Sequence, residues 1–258
     1  MSAEPLAVFG KALRDQRRGL TFWAAGLALV TLMYTSSFDP DRASEDPSGF
    51  QKALAFDDLA TGPGFLRATV LGMIVPLLLL AYATITGSKS VAGEEETGLL
   101  DLYLAQPIDR GRLLVQRFAA TCLAVAGFSL IVLLELALLS SALDMGVAFG
   151  NLLVTVVGLA FLVITFAAVA FATGAITGRR TLTLGVTAGY GAFSFVINAL
   201  ASQSEAIEPL KYLSAFHYYL GGSPLREGFD PAMLVLVVAP AVLFGAGLAR
   251  FRNRDLNV

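Results

Sequence analysis

One carboxylate, Glu135, lies inside a long apolar run of this 258-residue chain, LIVLLELALL. On insertion scales a charge at mid-membrane costs about 2.5–3.5 kcal/mol, so an acid in such a place is a functional candidate. The residues at helical spacing from Glu135 are apolar, which indicates burial against other helices. The acid is suited to lining a substrate path or attracting a cation, and a protonated or hydrogen-bonded structural role fits equally well. Asn198 is a weaker candidate of the same kind.

A second group of chemically active residues is the acidic triplet Glu94, Glu95 and Glu96, in the charged interval 89–117 between two apolar runs. We expect a short helix that begins with these acids, because exposed N–H groups and the helix dipole favour negative charge at a helix start. Leucine and tyrosine follow at three- and four-residue spacing, and Pro107 ends the helix. Such a helix suits docking into a groove of another protein, and a solvated loop fits the composition equally.

Motifs that would make the chain an enzyme are absent from its sequence. There is no G-x-x-x-x-G-K-[ST] phosphate loop, so the chain cannot hydrolyse ATP by that route. It also has no G-x-S-x-G or H-E-x-x-H motif, and its single cysteine and single histidine, Cys122 and His217, do not make a metal site. Basic residues are divided among the flanks of apolar runs, which argues against nucleic acid as a partner. We therefore expect no enzymatic activity, metal or cofactor in this chain.

Composition places the whole chain in a membrane. Hydrophobic residues make up 56% of it and charged residues 15%, against roughly 25% charged residues in soluble domains. The predicted fold is an all-α integral membrane protein with six transmembrane helices in a single domain, residues 1–258. Each span is long enough to cross about 30 Å of hydrocarbon. The predicted spans lie near residues 20–38, 65–87, 113–142, 149–177, 181–200 and 231–251.

The flanks of these spans predict the topology and two accessory elements. Residues 1–19 carry basic and apolar residues on opposite sides, which predicts an amphipathic elbow helix before the first span. Most Lys and Arg residues fall in the N-terminal flank, the 88–111 loop and its neighbourhood, the 178–180 link and the C-terminal tail. By the positive-inside rule both termini are cytoplasmic, and 39–64 and 201–230 are extracytoplasmic. Aromatic residues in 201–230 predict a short re-entrant or interfacial helix before the last span.

The run GEEETGLLDLYLAQPIDRGRLL resembles the loop after the second span in permease subunits of type-2 ABC exporters. In that family the loop, here residues 88–111, forms the coupling helix that contacts the ATPase. The resemblance assigns this role to Glu94, Glu95, Glu96, Gly98, Leu100, Leu104, Pro107 and Arg110. Asp109 stands where the family usually has a small residue or serine.

A second run, KYLSAFHYYLGGSPLREGFD, is similar to the re-entrant element that closes the outer end of the pathway in the same family, with Ala215 in place of a frequent proline. The residues expected on the substrate path or at its gate are Glu135, Asn198, Phe216 and Tyr219.

The resemblance implies a permease subunit of an ATP-driven export system in the cell membrane. It would form the substrate pathway, contact membrane lipid, and work with two copies of an ABC ATPase that holds ATP and Mg²⁺, together with a second permease copy. A homodimer is the preferred arrangement. Two other classes stay open on the residues alone: a self-contained secondary transporter or channel, and a membrane scaffold that transports nothing. The transported substrate is not determined by the sequence.

Overall fold

Helices account for nearly all the regular structure of this protein. The computed structural model describes residues 7–39, 59, 61–96, 110–201 and 207–253, and the side chains of all of these except 7–17 and 110. Strands are absent from those residues. The helices are α1 (Ala7–Thr35), α2 (Gly62–Glu96), α3 (Arg110–Ala142), α4 (Phe149–Thr177), α5 (Arg180–Leu200), α6 (Ala215–Leu220), α7 (Pro224–Glu227) and α8 (Pro231–Asn253).

Five of these helices, namely α2, α3, α4, α5 and α8, are long and apolar enough to cross a membrane. They match five of the six predicted spans, so a multi-pass helical membrane protein is confirmed. The sixth, α1, covers both the expected elbow and the expected first span as one continuous helix. The sequence has no proline between the two segments to break the helix. A separate elbow helix is therefore not seen, and a crossing by α1 stays a prediction.

The second span departs from its predicted bounds at its C-terminal end. Instead of ending near residue 87, α2 continues to Glu96. Two π-helical stretches, Leu66–Ile74 and Lys89–Gly93, lie within it. The first precedes Pro76, whose missing N–H and fixed ring prevent an unbroken α-helical ladder. Single π-helical turns inside α-helices are frequent at functional sites.

Helix α4 lies at the centre of the bundle and contacts α2, α3, α5 and α8. Small residues let its neighbours come close. A Cβ added to Gly87 of α2 would lie 2.5 Å from the Ala170 Cβ, and one added to Gly247 of α8 would lie 2.6 Å from the Ala172 Cα. Such contacts between small residues are typical of helices packed in membranes. The chain leaves α4 at Gly178, whose φ of +62° is a conformation that glycine adopts without strain.

A small apolar cluster joins four helices at one end of the bundle, here called the inner end after its predicted topology. Its buried members are Val91 of α2, Leu113 and Leu114 of α3, Phe171 and Ala175 of α4, and Phe251 of α8. The start of α3 and the ends of α2, α4 and α8 therefore meet at one end of the molecule. This cluster supports the acidic residues described next.

Candidate functional site

The acidic triplet, here called the acidic cluster (Glu94, Glu95 and Glu96), occupies the last described positions of α2. Lys89–Gly93 turn as a π-helix and lead without a break into an α-helical turn that begins at Glu94. The helix that these acids are predicted to begin continues into residues outside the described part of the chain, so it stays a prediction. Other elements supply positive potential to the three acids.

Glu94 is paired with Arg117 of α3. A carboxylate oxygen of Glu94 lies 2.5 Å from a guanidinium nitrogen of Arg117, and the two side chains are 27% and 8% exposed. Arg117 also donates a hydrogen bond to the Ser90 carbonyl on α2. A buried guanidinium needs a counter-charge and acceptors, because an uncompensated buried charge is costly. The pair therefore joins the inner ends of α2 and α3.

Glu96 caps a different helix. Its carboxylate accepts a hydrogen bond of 2.8 Å from the backbone N–H of Arg180, the first residue of α5. The preceding residue, Arg179, provides no side-chain cap. Glu96 thus supplies the acceptor, and the negative charge, that the N-terminus of α5 lacks.

Glu95 lies over the turn between α4 and α5. A Cβ added to Gly178 would come within 2.5 Å of the Glu95 carboxylate oxygen. Glycine is thus required here twice, for its positive φ and for the space that the carboxylate occupies. Together the three acids bring the base of α2 into contact with α3, the α4–α5 turn and the start of α5.

Only part of the predicted coupling set can be placed. Gly98, Leu100, Leu104 and Pro107 lie outside the described residues, and Arg110 begins α3 with its side chain outside the description. The sequence analysis did not identify Arg117 as the partner of the acids. The available signal was its place within an apolar run, where an arginine needs a partner.

The predicted path residues lie in different surroundings. Glu135 is half-buried on α3, and one of its carboxylate oxygens is buried without a hydrogen-bond partner among the described residues. Asn198 is half-buried near the outer end of α5. Phe216 and Tyr219 are fully buried on α6. Their roles in a path or gate stay predictions.

The segment 207–230, here called the outer cap, contains α6 and α7 and is packed against α2, α4 and α5. Ser214 caps α6 by accepting from the His217 N–H at 3.3 Å, and it donates to the Ser194 carbonyl of α5 at 2.6 Å. Asn151 of α4 donates to the carbonyl of Arg226 at 2.8 Å. The predicted short helix before the last span is therefore present, while its depth in a membrane stays a prediction.

Aromatic side chains fill the space beneath the outer cap. The ring of Phe216 packs edge-on against Phe195 and tilted against Phe166, with centroid distances of 5.5 and 6.2 Å. His217 is half-buried, and its imidazole contacts Tyr212 and Tyr218 edge-on. Burial, and secondarily the Lys211 ammonium, lower the pKa of His217 from its ordinary value. No group of metal-ligating residues occurs in the described part of the chain.

Several helices apolar enough to cross a membrane, with an acidic cluster at one end and an aromatic cap at the other, describe a multi-pass membrane protein. The profile of the ABC-2 family transporter proteins matches residues 6–256, and the chain belongs to that family. The resemblance to type-2 ABC permeases is thereby confirmed. A search among curated proteins finds no match.

Proposed function

We propose that this chain is the permease subunit of an ATP-driven exporter, that it forms the substrate pathway, and that it couples to a separate ATPase through the segment that follows the acidic cluster. Membership of the ABC-2 transporters supports the class. ATP and Mg²⁺ would be bound by the partner ATPase, because this sequence has no phosphate loop.

The observation that carries the proposal is the attachment of the acidic cluster to three other elements. Glu94 reaches α3 through Arg117, and Glu96 reaches α5 through the Arg180 N–H. A displacement applied just beyond Glu96 would therefore act on the spans together, which is what rigid-body coupling needs. The other residues predicted to couple to the ATPase, Gly98, Leu100, Leu104, Pro107 and Arg110, follow along the chain from this point.

Topology follows from the same end of the bundle. Arginines at the start of α3, at the α4–α5 turn and at the end of α8 flank the inner apolar cluster, which favours a cytoplasmic position for this end. With α1 as a sixth crossing, both termini lie on that side. We place the protein in the cell membrane as a multi-pass subunit.

A second permease copy is part of the proposal, with two ATPase subunits. Helix α5 exposes an apolar face on which added Cβ atoms at Gly185 and Gly189 would meet nothing within 4 Å. Glycines four residues apart let helices of two subunits approach closely. We propose a homodimer that uses this face and otherwise contacts lipid.

The decisive experiment reconstitutes the chain with a co-expressed candidate ATPase in nanodiscs and measures ATP hydrolysis by the purified complex. We expect a stable complex, and we expect Glu94→Lys combined with Glu95→Lys to abolish the association. Glu208→Lys, at an exposed acid on the outer cap, is the matched control and should leave it intact. Substrate movement by the chain alone in ATP-free proteoliposomes would overturn the proposal in favour of a secondary transporter.

A further inference from the structure

The first π-helical stretch of α2 leaves the Leu71 carbonyl without its usual helical donors. The Leu71 carbonyl would accept from the Val75 N–H in an α-helix and from residue 76 in a π-helix. The Val75 N–H instead donates to Val70, five residues back. Residue 76 is a proline and has no N–H. Both helical partners of Leu71 are thus unavailable.

The missing donor comes from the outer cap. The Tyr219 hydroxyl of α6 donates to the Leu71 carbonyl at 3.0 Å, and both residues are fully buried. A buried carbonyl without a donor destabilises the fold, so this hydrogen bond supplies the donor that the Leu71 carbonyl lacks within α2. The two partners lie 148 positions apart, so this hydrogen bond joins distant parts of the chain.

Arg67 provides a second connection between the same two elements. Its guanidinium donates to the Leu220 carbonyl at 3.3 Å and to the Ser223 hydroxyl at 3.0 Å. The local π-helical geometry also depends on Gly72, where an added Cβ would lie 1.9 Å from the Arg67 carbonyl oxygen. Three hydrogen bonds therefore hold α6 and its C-terminal turn on the π-helical stretch.

We propose that Tyr219 is a positioning residue, which fixes the π-helical stretch of α2 and makes the outer cap move together with α2. This inference rests on the proposed function, in which the inner end of α2 receives the motion of the ATPase. Helix α2 has 35 residues and is thus about 50 Å long. At one end of α2 the acidic cluster contacts α3 and α5, and at the other end the first π-helical stretch binds the outer cap. One helix therefore joins the proposed coupling site to the cap.

The hydrogen bond can be tested directly by selective labelling of the full chain in nanodiscs. With ¹³C at leucine carbonyls and ¹⁵N at glycine amides, correlated signals arise only from Leu–Gly pairs. The sequence contains three such pairs, Leu71–Gly72, Leu184–Gly185 and Leu220–Gly221. We expect Tyr219→Phe to shift the Leu71 carbonyl signal to lower frequency and to leave the Leu184 signal in place.

Tyr218→Phe is the matched control, because the Tyr218 hydroxyl donates to the exposed Tyr212 carbonyl at 2.9 Å. It removes a hydroxyl from the same helix whose acceptor lies within the outer cap, so it should leave the Leu71 signal in place. An unmoved Leu71 signal in Tyr219→Phe, or an equal shift in Tyr218→Phe, overturns the assignment of Tyr219 as the donor.

The coupling role is tested in the complex with the ATPase, trapped with Mg²⁺, ATP and vanadate. In the wild type, hydrogen exchange of residues 62–76 and 214–223 should change together on trapping. In Tyr219→Phe we expect the change in 214–223 to fall at least tenfold while that in 62–76 persists. Equal changes in both segments of the variant, or none in the wild-type cap, overturn the coupling role. An ATPase that never associates overturns the proposed function instead, and the carbonyl signal still decides the role of Tyr219 as donor.

Discussion

Replacing Arg117 by methionine is expected to release the acidic cluster from α3. Methionine keeps the length and apolar volume of the side chain but removes the charge that faces Glu94. The remaining carboxylate is 27% exposed, so water screens it in part and we expect a loss of about 1–2 kcal/mol. Glu94→Gln should cost more, about 3 kcal/mol, because it removes a negative charge that faces an arginine only 8% exposed.

A double-mutant cycle then isolates the interaction. If the two groups stabilise the chain mainly through each other, the double variant loses less than the sum of the single variants by about 1–3 kcal/mol. Unfolding in mixed micelles can be followed through Trp23, the only tryptophan, whose ring lies 5.7 Å from that of Tyr82 on α2.

The control is Arg250→Met, at an exposed arginine near the end of α8, which should change the free energy of unfolding by less than about 0.5 kcal/mol. Strictly additive effects of Arg117→Met and Glu94→Gln would refute the reasoning. They would mean that the two residues act independently and that the acidic cluster is not held by α3.

Three further outcomes are expected. Gly178→Ala should destabilise the chain by about 1–2 kcal/mol, because alanine is strained at φ +62°, whereas Gly185→Ala on the exposed face of α5 should be nearly neutral in detergent. Ser194→Ala should lower the free energy of unfolding by about 1–3 kcal/mol, because it removes the hydroxyl that accepts from the buried Phe216 N–H at 3.3 Å. Thermal unfolding measures the effects of Gly178→Ala and of Ser194→Ala. The pKa of His217 is lowered in the folded protein, so its contribution to the free energy of unfolding is present above its unfolded pKa of about 6.5 and is lost as pH falls below that value. His217→Gln should therefore flatten the fall of the unfolding temperature between about pH 7.5 and 5.5.

Each of these expectations can fail in a specific way. A Gly178→Ala chain as stable as the wild type would show that the α4–α5 turn rearranges at no cost. A Ser194→Ala chain that keeps its unfolding temperature would mean that water replaces the lost hydroxyl. Equal acid sensitivity of His217→Gln and the wild type would assign the pH dependence to other groups.

Sequence patterns predicted the elements well and their connections poorly. Apolar run length gave five of the spans to within a few residues at most ends, because hydrocarbon thickness sets helix length. Charge identified Glu94–Glu96 as a site, but its partners Arg117 and Arg180 could not be found, since Glu96 and Arg180 are 84 positions apart. Such pairings depend on which helices adjoin, and periodicity within one helix carries no information about that.

The groups beside the acidic cluster were not predicted. Three adjacent acids suit a helix start, and the sequence predicts one at that point. The structure also places the N-terminus of α5 and the guanidinium of Arg117 beside these acids. Acidic residues can thus stabilise the N-terminus of another helix, which the pattern of one segment does not reveal.

The contacts that α2 makes along its length also restrict the motions of the proposed exporter. Helix α2 is fixed to α3 and α5 at its inner end, packs closely on α4 at Gly87, and holds the outer cap through Tyr219. A helix held at both ends and in the middle cannot slide alone without breaking several buried contacts at once. Under the proposed function, a push delivered beyond Glu96 is therefore expected to rotate α2 to α5 and the cap as one body against the second copy. Packed cores respond to small displacements by such rigid-body shifts rather than by continuous deformation.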